Sequence, residues 1–345
     1  MPNPLTITQI ADAAGVSTAT VDRVLNNRPG VNPATVQKVR DTVAALGGGA
    51  PVRGRPRSTS NYRFAFVLPA PRRGFFDTVD RVVAQAAGDF RHQHITEITH
   101  RLPAESNAYA AELTKLADLD GIALLAPDVP PVKLAINELV RGGVHVVTLF
   151  SDVPGSMRET AIGADNRAAG RTAGLLLGRS LGRSAAQAEP ACALFSPSTR
   201  YACEIDRRIG FQQVLEERFA HVRLLRHFEL PESDDEAHAY VRDVLAPEAA
   251  GTVRAVYNVG PASFGVARAL AELGHGADCV FAAHDLLEVH RSMLISGTLA
   301  YVLHQDVHYA VTSAARVLRA LCDGVRGALN AANPPIEIAT VENLA

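Results

Sequence analysis

Residues 6–46 constrain this chain more than any other stretch, because three short amphipathic helices are punctuated so tightly there that few arrangements remain. Thr6, with Gln9 three residues on, makes a capping box, and Ile7, Ile10, Ala11 and Ala14 share one face before Gly15 ends the helix. Ser17 caps a second helix with Val21, Val24 and Leu25 inward, which leaves Thr18, Ala19, Asp22 and Arg23 facing away from the bundle. Asn26, Asn27, Pro29 and Gly30 break the chain, and Asn32 with Pro33 starts a third helix carrying Val36, Val39, Val43 and Leu46. Two short helices across a glycine turn, braced by a third, form a helix-turn-helix whose outward face suits a DNA groove.

Charge agrees with that assignment only locally. Residues 1–60 hold seven Lys or Arg and three Asp, giving +4; with a whole-chain net charge of −2, the remainder carries −6. A basic end on an acidic body is expected where one end alone meets nucleic acid.

The string Thr6-Ile7-Thr8-Gln9-Ile10-Ala11-Asp12-Ala13-Ala14-Gly15-Val16-Ser17-Thr18-Ala19-Thr20-Val21-Asp22-Arg23-Val24-Leu25-Asn26 closely resembles the headpiece of the lactose-repressor (LacI) family of bacterial transcription regulators. Core packing alone does not ask for Gly-Val-Ser followed by Thr-Val-x-Arg-Val-Leu-Asn. The resemblance implies that Thr18, Ala19 and Arg23 meet base edges in the major groove, where Arg suits a bidentate contact with guanine. It places Ser17 and Thr20 near phosphates, and Thr6 and Asn26 in the same contact surface. Asp22 departs from the serine many relatives carry there, and reads either as a specificity residue accepting from a cytosine amino group or as a structural cap.

Residues 47–58 contain four glycines, two prolines and no apolar periodicity, the composition of a linker. The expected divisions are a headpiece over 1–48, a linker over 49–60 and a ligand-binding domain over 61–345. In the LacI family the linker usually forms a short hinge helix that inserts a leucine into the minor groove; neither that pattern nor a leucine is present here. Arg53-Gly54-Arg55-Pro56 instead looks like the core of an AT-hook, whose arginines lie in a narrow A·T minor groove, although the plainer reading, a soluble basic linker attracted to phosphate in general, has the better claim on these residues.

From Asn61 onward short apolar runs alternate with helical stretches, as in repeated βα units with a mainly parallel sheet. Expected strands are 64–68, 121–125, 144–150, 191–195, 255–259, 280–283 and 300–303; helices are expected over 78–90, 167–181, 205–218, 263–273 and 307–329 among others. About 285 residues of this kind exceed one comfortable core and imply two α/β lobes.

This region resembles the periplasmic sugar-binding fold that LacI relatives carry as an effector domain, and is similar in flavour to its ribose-binding type. Gly74-Phe75-Phe76-Asp77, Val146-Val147-Thr148-Leu149, Gly163 to Arg171, Asp206 to Phe211 and Tyr257-Asn258-Val259-Gly260 carry the likeness by their order. The fold class implied is a two-lobed, doubly wound α/β domain after an all-α headpiece. Lobe one would span roughly 62–163 and 306–332, lobe two 164–305 and 333–345, with a cleft at the strand ends between them. The resemblance puts Phe75 and Phe76 against a sugar or polyol, and Arg73, Asp152, Arg207, Asn258, Asp285 and Gln305 on its polar groups. Phe75 and Phe76 read equally as core residues; Arg207, Asn258 and Gln305 also suit lobe-bridging roles; Ser151 or Phe150 competes with Asp152 for its position. Arg72 and Arg73 raise the alternative of a phosphorylated or acidic sugar.

Catalysis and metal binding find little support in the chain. His284-Asp285 lacks a nucleophile elbow, phosphate loop or histidine-rich cluster beside it, and His304, Asp306 and His308 match no standard ligand spacing. No cofactor is implied. Cys192, Cys203, Cys279 and Cys322 form no CxxC pair and read as reduced thiols. Met1-Pro2-Asn3-Pro4 has no signal-peptide character, and no apolar run reaches the roughly 18 residues of a membrane span. The expectation is a cytoplasmic, effector-controlled regulator, a repressor working as a homodimer on a pseudo-palindromic operator, rather than an enzyme. A sugar-binding protein without gene control is the alternative, which the capped headpiece and basic linker oppose.

Overall fold

The structure, a computed structural model, describes residues 6–25, 31–46, 61–70, 74–182, 190–197, 200–246, 253–275, 279–325 and 333–344. It separates into two compact units, Met1–Ser60 and Asn61–Ala345.

The first unit holds α1 (Ile7–Ala14), α2 (Thr18–Leu25) and α3 (Pro33–Ala45). Thr6 Oγ1 accepts from the Gln9 backbone N–H, and Gln9 Oε1 accepts from the Thr6 N–H at 2.9 Å, closing the capping box. Gly15 ends α1 at φ +60°, a left-handed conformation that costs glycine little. Ser17 Oγ accepts from the Thr20 N–H at the start of α2, and Asn32 Oδ1 from the Ala34 N–H at the start of α3. Ile10, Ala11, Ala14, Val21, Val24 and Val39 form the core, with Leu25, Val36 and Val43 partly buried against it. Leu46, expected on the inward face of α3, is its exposed C-cap instead.

The second unit contains two sheets. Strands β1 (Tyr62–Pro69), β2 (Ile95–Leu102), β3 (Gly121–Leu124), β4 (His145–Leu149) and β5 (Thr160–Ile162) form an all-parallel sheet of order β2-β1-β3-β4-β5. Helices α4 (Gly74–His92), α5 (Ser106–Thr114) and α6 (Pro130–Arg141) connect them. After α7 (Asn166–Ser180) comes the second sheet, order β11-β10-β9-β8-β6-β7, made of β6 (Ala191–Ser196), β7 (Arg223–Glu229), β8 (Val253–Asn258), β9 (Val280–His284), β10 (Tyr301–Gln305) and β11 (Ile336–Ala339). It is parallel except where β11 runs against β10. The intervening helices are α8 (Ala202–Arg218), α9 (Asp234–Leu245), α10 (Ser263–Glu272) and α11 (Glu288–Ile295). Helix α12 (Val307–Cys322) returns to the first sheet: Val307, Ala310, Val311, Ala314 and Leu318 join the core of Phe64, Phe66 and Val147. The chain thus crosses between sheets three times: after β5, after β10 and before β11.

Central strands are apolar on both faces, as helices covering both sides of a parallel sheet require; the last six residues of β1 and all of β6 are buried. In the second sheet α7 and α8 pack exceptionally closely. A Cβ on Gly210 would lie 2.2 Å from the Arg167 carbonyl oxygen, so two glycine faces allow the backbones to touch.

Candidate functional site

In the headpiece unit, Ser17, Thr18, Ala19 and Arg23 are exposed along one side of α2, and Thr20 and Asp22 are half-buried. Thr6 is exposed but committed to capping. Ser17 and Thr20 hydroxyls hydrogen-bond one another at 2.9 Å, which aligns both at the start of the helix whose side chains face outward. Asn26, Arg53 and Arg55 lie outside the described residues.

In the larger unit a cavity of about 590 Å³ opens between the two sheets. The first sheet's side supplies Phe75, Phe76 and Arg81 from α4, with Leu125, Phe150 and Ser151 beyond strand ends. The other side supplies Tyr201, Glu204 and Arg207 at the start of α8, the loops around 232–234 and 260–264, and His284, Asp285, His290 and Gln305. At this edge the two sides touch: a Cβ on Gly74 would be 3.0 Å from Leu287 Cδ1, and the Asp128 N–H donates to the Arg200 carbonyl at 2.7 Å.

Buried Arg207 organises the polar wall. Its Nε donates to Asn166 Oδ1 at 2.8 Å, its Nη1 to the Val259 carbonyl at 3.3 Å, and Nη1 stands 3.9 Å from Asp285 Oδ2. Asn166 Nδ2 in turn donates to the Phe150 carbonyl at the end of β4, so this amide ties the two sides of the cleft together. Burial is the strongest single influence and acts to depress the Arg207 pKa, but Asp285, Cys203, Tyr257 and Glu204 together outweigh it, so the pKa is raised and the guanidinium stays charged. Gln305 Nε2 donates to Asp285 Oδ1 at 3.2 Å, which fixes the amide's orientation and leaves its buried Oε1 without a hydrogen-bond partner among the described residues. An orphan acceptor in a cavity wall is where a ligand hydroxyl is best rewarded.

Backbone strain gathers at the same place. Of the four described non-glycine residues at positive φ, Phe150 (+60°), Ala262 (+64°) and Asp285 (+62°) all line the cavity. Such conformations persist only where surrounding contacts enforce them, and they concentrate at functional sites.

Five of the eight residues expected on a ligand therefore come together in the cavity wall: Phe75, Phe76, Arg207, Asp285 and Gln305. Phe75 meets Phe150 edge to face at 5.0 Å, whereas the Phe76 side chain is only 5% exposed and belongs chiefly to the core. Asn258 lies behind the wall, fully buried, with Nδ2 donating to the Gly260 and Pro261 carbonyls and to Ser263 Oγ. Asp152 lines a smaller adjoining depression of about 220 Å³ and is held by Arg158 and Thr148; Ser151 takes the place beside the main cavity. Burial disfavours the Asp152 carboxylate, yet those hydrogen bonds prevail and lower its pKa. Arg73, like Arg72, lies outside the described residues. Tyr201, Glu204, His290 and Phe264 were not singled out from sequence; only their positions just past strand ends signalled them.

The histidines are otherwise engaged. His284 is buried and hydrogen-bonded to the Tyr257 hydroxyl; burial, with Arg207 nearby, holds its pKa well below the ordinary value, so it is a neutral structural partner. His304 Nδ1 accepts from the Leu286 N–H, and Asp306 caps α12, so neither matches a metal site; no group of three metal-ligating side chains occurs among the described residues. The Cys203 thiol beside the cavity is pushed up to about 11 by burial. No described helix is long and apolar enough to cross a membrane.

A model of the periplasmic binding protein domain matches residues 64–325, and one of the bacterial regulatory proteins of the lacI family matches residues 6–47. The chain belongs to the periplasmic binding protein domain family. Its amino-terminal part is a lacI-family headpiece. Among curated relatives, the HTH-type transcriptional regulator MalR of Streptomyces coelicolor is 40% identical over 80 residues, 23% of this chain and 23% of that protein. The chain thus matches under a quarter of that relative's length. Among solved structures, GanP, a glucose-galactose binding protein from Geobacillus stearothermophilus, aligns with a TM-score of 0.72 at 21% identity over 83% of this chain and 99% of its own. A LacI transcriptional regulator from Bacteroides fragilis aligns at 0.69 with 18% identity over 82% of this chain and 98% of its own. These likenesses give the periplasmic-binding-protein architecture of the second unit.

Proposed function

We infer that this protein is a DNA-binding transcriptional regulator, a repressor, whose operator affinity is set by a small sugar or polyol held in the interlobe cleft. The observation that carries this reading is the conjunction, in one chain, of a lacI-family headpiece with Thr18, Ala19 and Arg23 exposed and a cleft whose Arg207-Asp285-Gln305 wall ends in an orphan acceptor. Thr18, Ala19 and Arg23 read bases, while Ser17 and Thr20 approach phosphates. One headpiece covers only a few base pairs, so the protein acts as a homodimer on a pseudo-palindromic site in the cytoplasm. It works by binding rather than by turnover.

A ligand touching Phe75 on one side and Asp285 and Gln305 on the other binds best when the lobes close. That differential affinity is what shifts a lobe equilibrium and, through it, DNA binding. Among the described lining residues Asp77, Glu204, Glu232, Asp234, Asp285 and Glu288 stand against Arg81 and Arg207, a balance that favours a neutral sugar over a phosphorylated or acidic one.

The test is binding of the purified protein to its own upstream DNA, at defined salt, during titration with pentoses, hexoses, polyols and their phosphates. One neutral compound shifting the affinity is the expected result. DNA binding that no compound alters would remove the effector assignment and leave the headpiece one.

A further inference from the structure

Asp285, between β9 and α11, is tied at every polar atom. Its backbone N–H donates to the Leu303 carbonyl at 2.8 Å, Oδ1 accepts from Gln305 Nε2 at 3.2 Å, and Oδ2 stands 3.9 Å from Arg207 Nη1. Its carbonyl accepts twice, from the Leu287 N–H at 2.8 Å and from His290 Nδ1 at 2.5 Å. A non-glycine residue at φ +62° stays in that left-handed conformation only where such contacts hold it.

The bond from His290 also fixes the histidine. His290 is the third residue of α11, the position from which a capping-box side chain reaches back to the N-cap. Leu287 caps this helix without a side-chain bond, and the imidazole reaches two residues further, to Asp285. A carbonyl can only accept, so Nδ1 carries the hydrogen, and Nε2 of the neutral ring is an acceptor. Burial, the strongest influence, lowers the His290 pKa against the opposing Asp285 carbonyl bond and the Asp285 and Asp234 carboxylates, so the ring is neutral near pH 7. His290 is 3% exposed and lines the cavity, and among the described residues no group bonds its Nε2.

Gln305 has the same polarity. Its Nε2 is given to Asp285, so what remains is the acceptor Oε1. Both residues bond Asp285, whose carboxylate keeps lone pairs beyond those its two partners take. Resting on the effector reading of the cleft, we propose that His290 is a positioning residue: it locks Asp285 in place and completes, with Asp285 and Gln305, a stretch of wall made of acceptors, which selects the effector by the hydroxyl hydrogens it donates. A wall built this way rejects a ligand without those hydrogens, because its acceptors then stay buried and unpaired.

Two measurements on the full-length protein test the proposal. Proton–nitrogen correlation spectra of protein labelled with nitrogen-15 histidine, taken without effector at neutral pH, should show Nδ1 protonated and Nε2 bare in the ring that disappears in His290→Asn. The opposite tautomer, or an imidazolium, would overturn the acceptor wall. Calorimetric titration with glucose, galactose and arabinose, and with deoxyfluoro analogues in which fluorine replaces one hydroxyl at a time, then reads what the wall selects. At least one fluorine substitution on the tightest-binding sugar should cost about tenfold in the wild type, since fluorine donates nothing. His290→Leu should weaken the parent sugar about tenfold and shrink the fluorine penalty to about twofold, and His290→Asn, whose amide nitrogen can stand in for Nδ1, should recover the parent sugar to within about threefold of wild type. Binding that holds within about twofold in His290→Leu, or a loss that His290→Asn does not recover, would leave His290 a core residue and overturn the proposal alone. Failure of every sugar to bind the wild type would overturn the effector reading of the cleft and the proposal with it.

Discussion

Gly170 on α7 lies against the carbonyl oxygen of Arg207 on α8 so closely that a Cβ there would stand 1.9 Å from it. The residue at the centre of the polar wall is therefore positioned by the absence of a side chain one helix away. Both backbones must move apart to admit even one methyl group, and Arg207 moves with its helix.

Gly170→Ala should consequently lower stability by about 2 kcal/mol or more, and weaken effector binding beyond that through the displaced guanidinium. Gly88→Ala is the control, since an added Cβ on that exposed residue of α4 meets nothing within 4 Å and helix propensity favours alanine by up to about 1 kcal/mol. Denaturant melts of both variants, with effector titrations, check the pair. Equal behaviour of the two would show that α7 and α8 do not pack this tightly.

Acid should loosen the effector domain. Burial, first of all, keeps the pKa values of His284 and His290 below their ordinary value near 6.5. The unfolded chain therefore takes up protons that the native state refuses, and stability falls as pH drops through about 6.5. Thermal melts at about pH 7.5 and about pH 5.5 should show a lower Tm at the acid end, and His284→Gln should flatten the slope.

On the headpiece, Arg23→Ala should cost about 1–3 kcal/mol, roughly 10- to 100-fold, against the preferred operator, and much less against unrelated DNA. Binding measured on both duplexes at one salt concentration separates base reading from phosphate attraction. A uniform loss on the two would place Arg23 on the backbone.

Arg55→Ala tests the linker, which lies outside the described residues. If Arg53 and Arg55 enter an A·T minor groove, the loss of affinity should be largest for operators with an A·T-rich centre. Equal loss on G·C-rich centres would leave a generic basic linker.

The sheet was legible in part, and the missing part has a common cause. Central strands such as β1 and β6 announce themselves as apolar runs because helices cover both faces. β2 and β7 are edge strands with the polar sequences ITEITHRL and RLLRHFE, while β5 and β11 have three and four residues. Edge strands keep polar residues toward solvent, which erases the run that reveals a buried strand. The third headpiece helix ends one residue short of Leu46 for a similar reason, since periodicity alone does not say where the neighbouring helices stop covering it.

Sequence by itself determined the caps, the glycine turn and the outward face of α2, because each depends on residues three or four positions apart. It also determined the alternation that yields two α/β lobes. Only the tertiary structure decided which polar side chains meet: Arg207, Asp285 and Gln305 converge from separate elements, whereas Asn258 turns inward to hold a loop. It alone set Phe264 on the cavity rim, since exposure is a property of what packs around a residue and not of the residue's own neighbours in the chain.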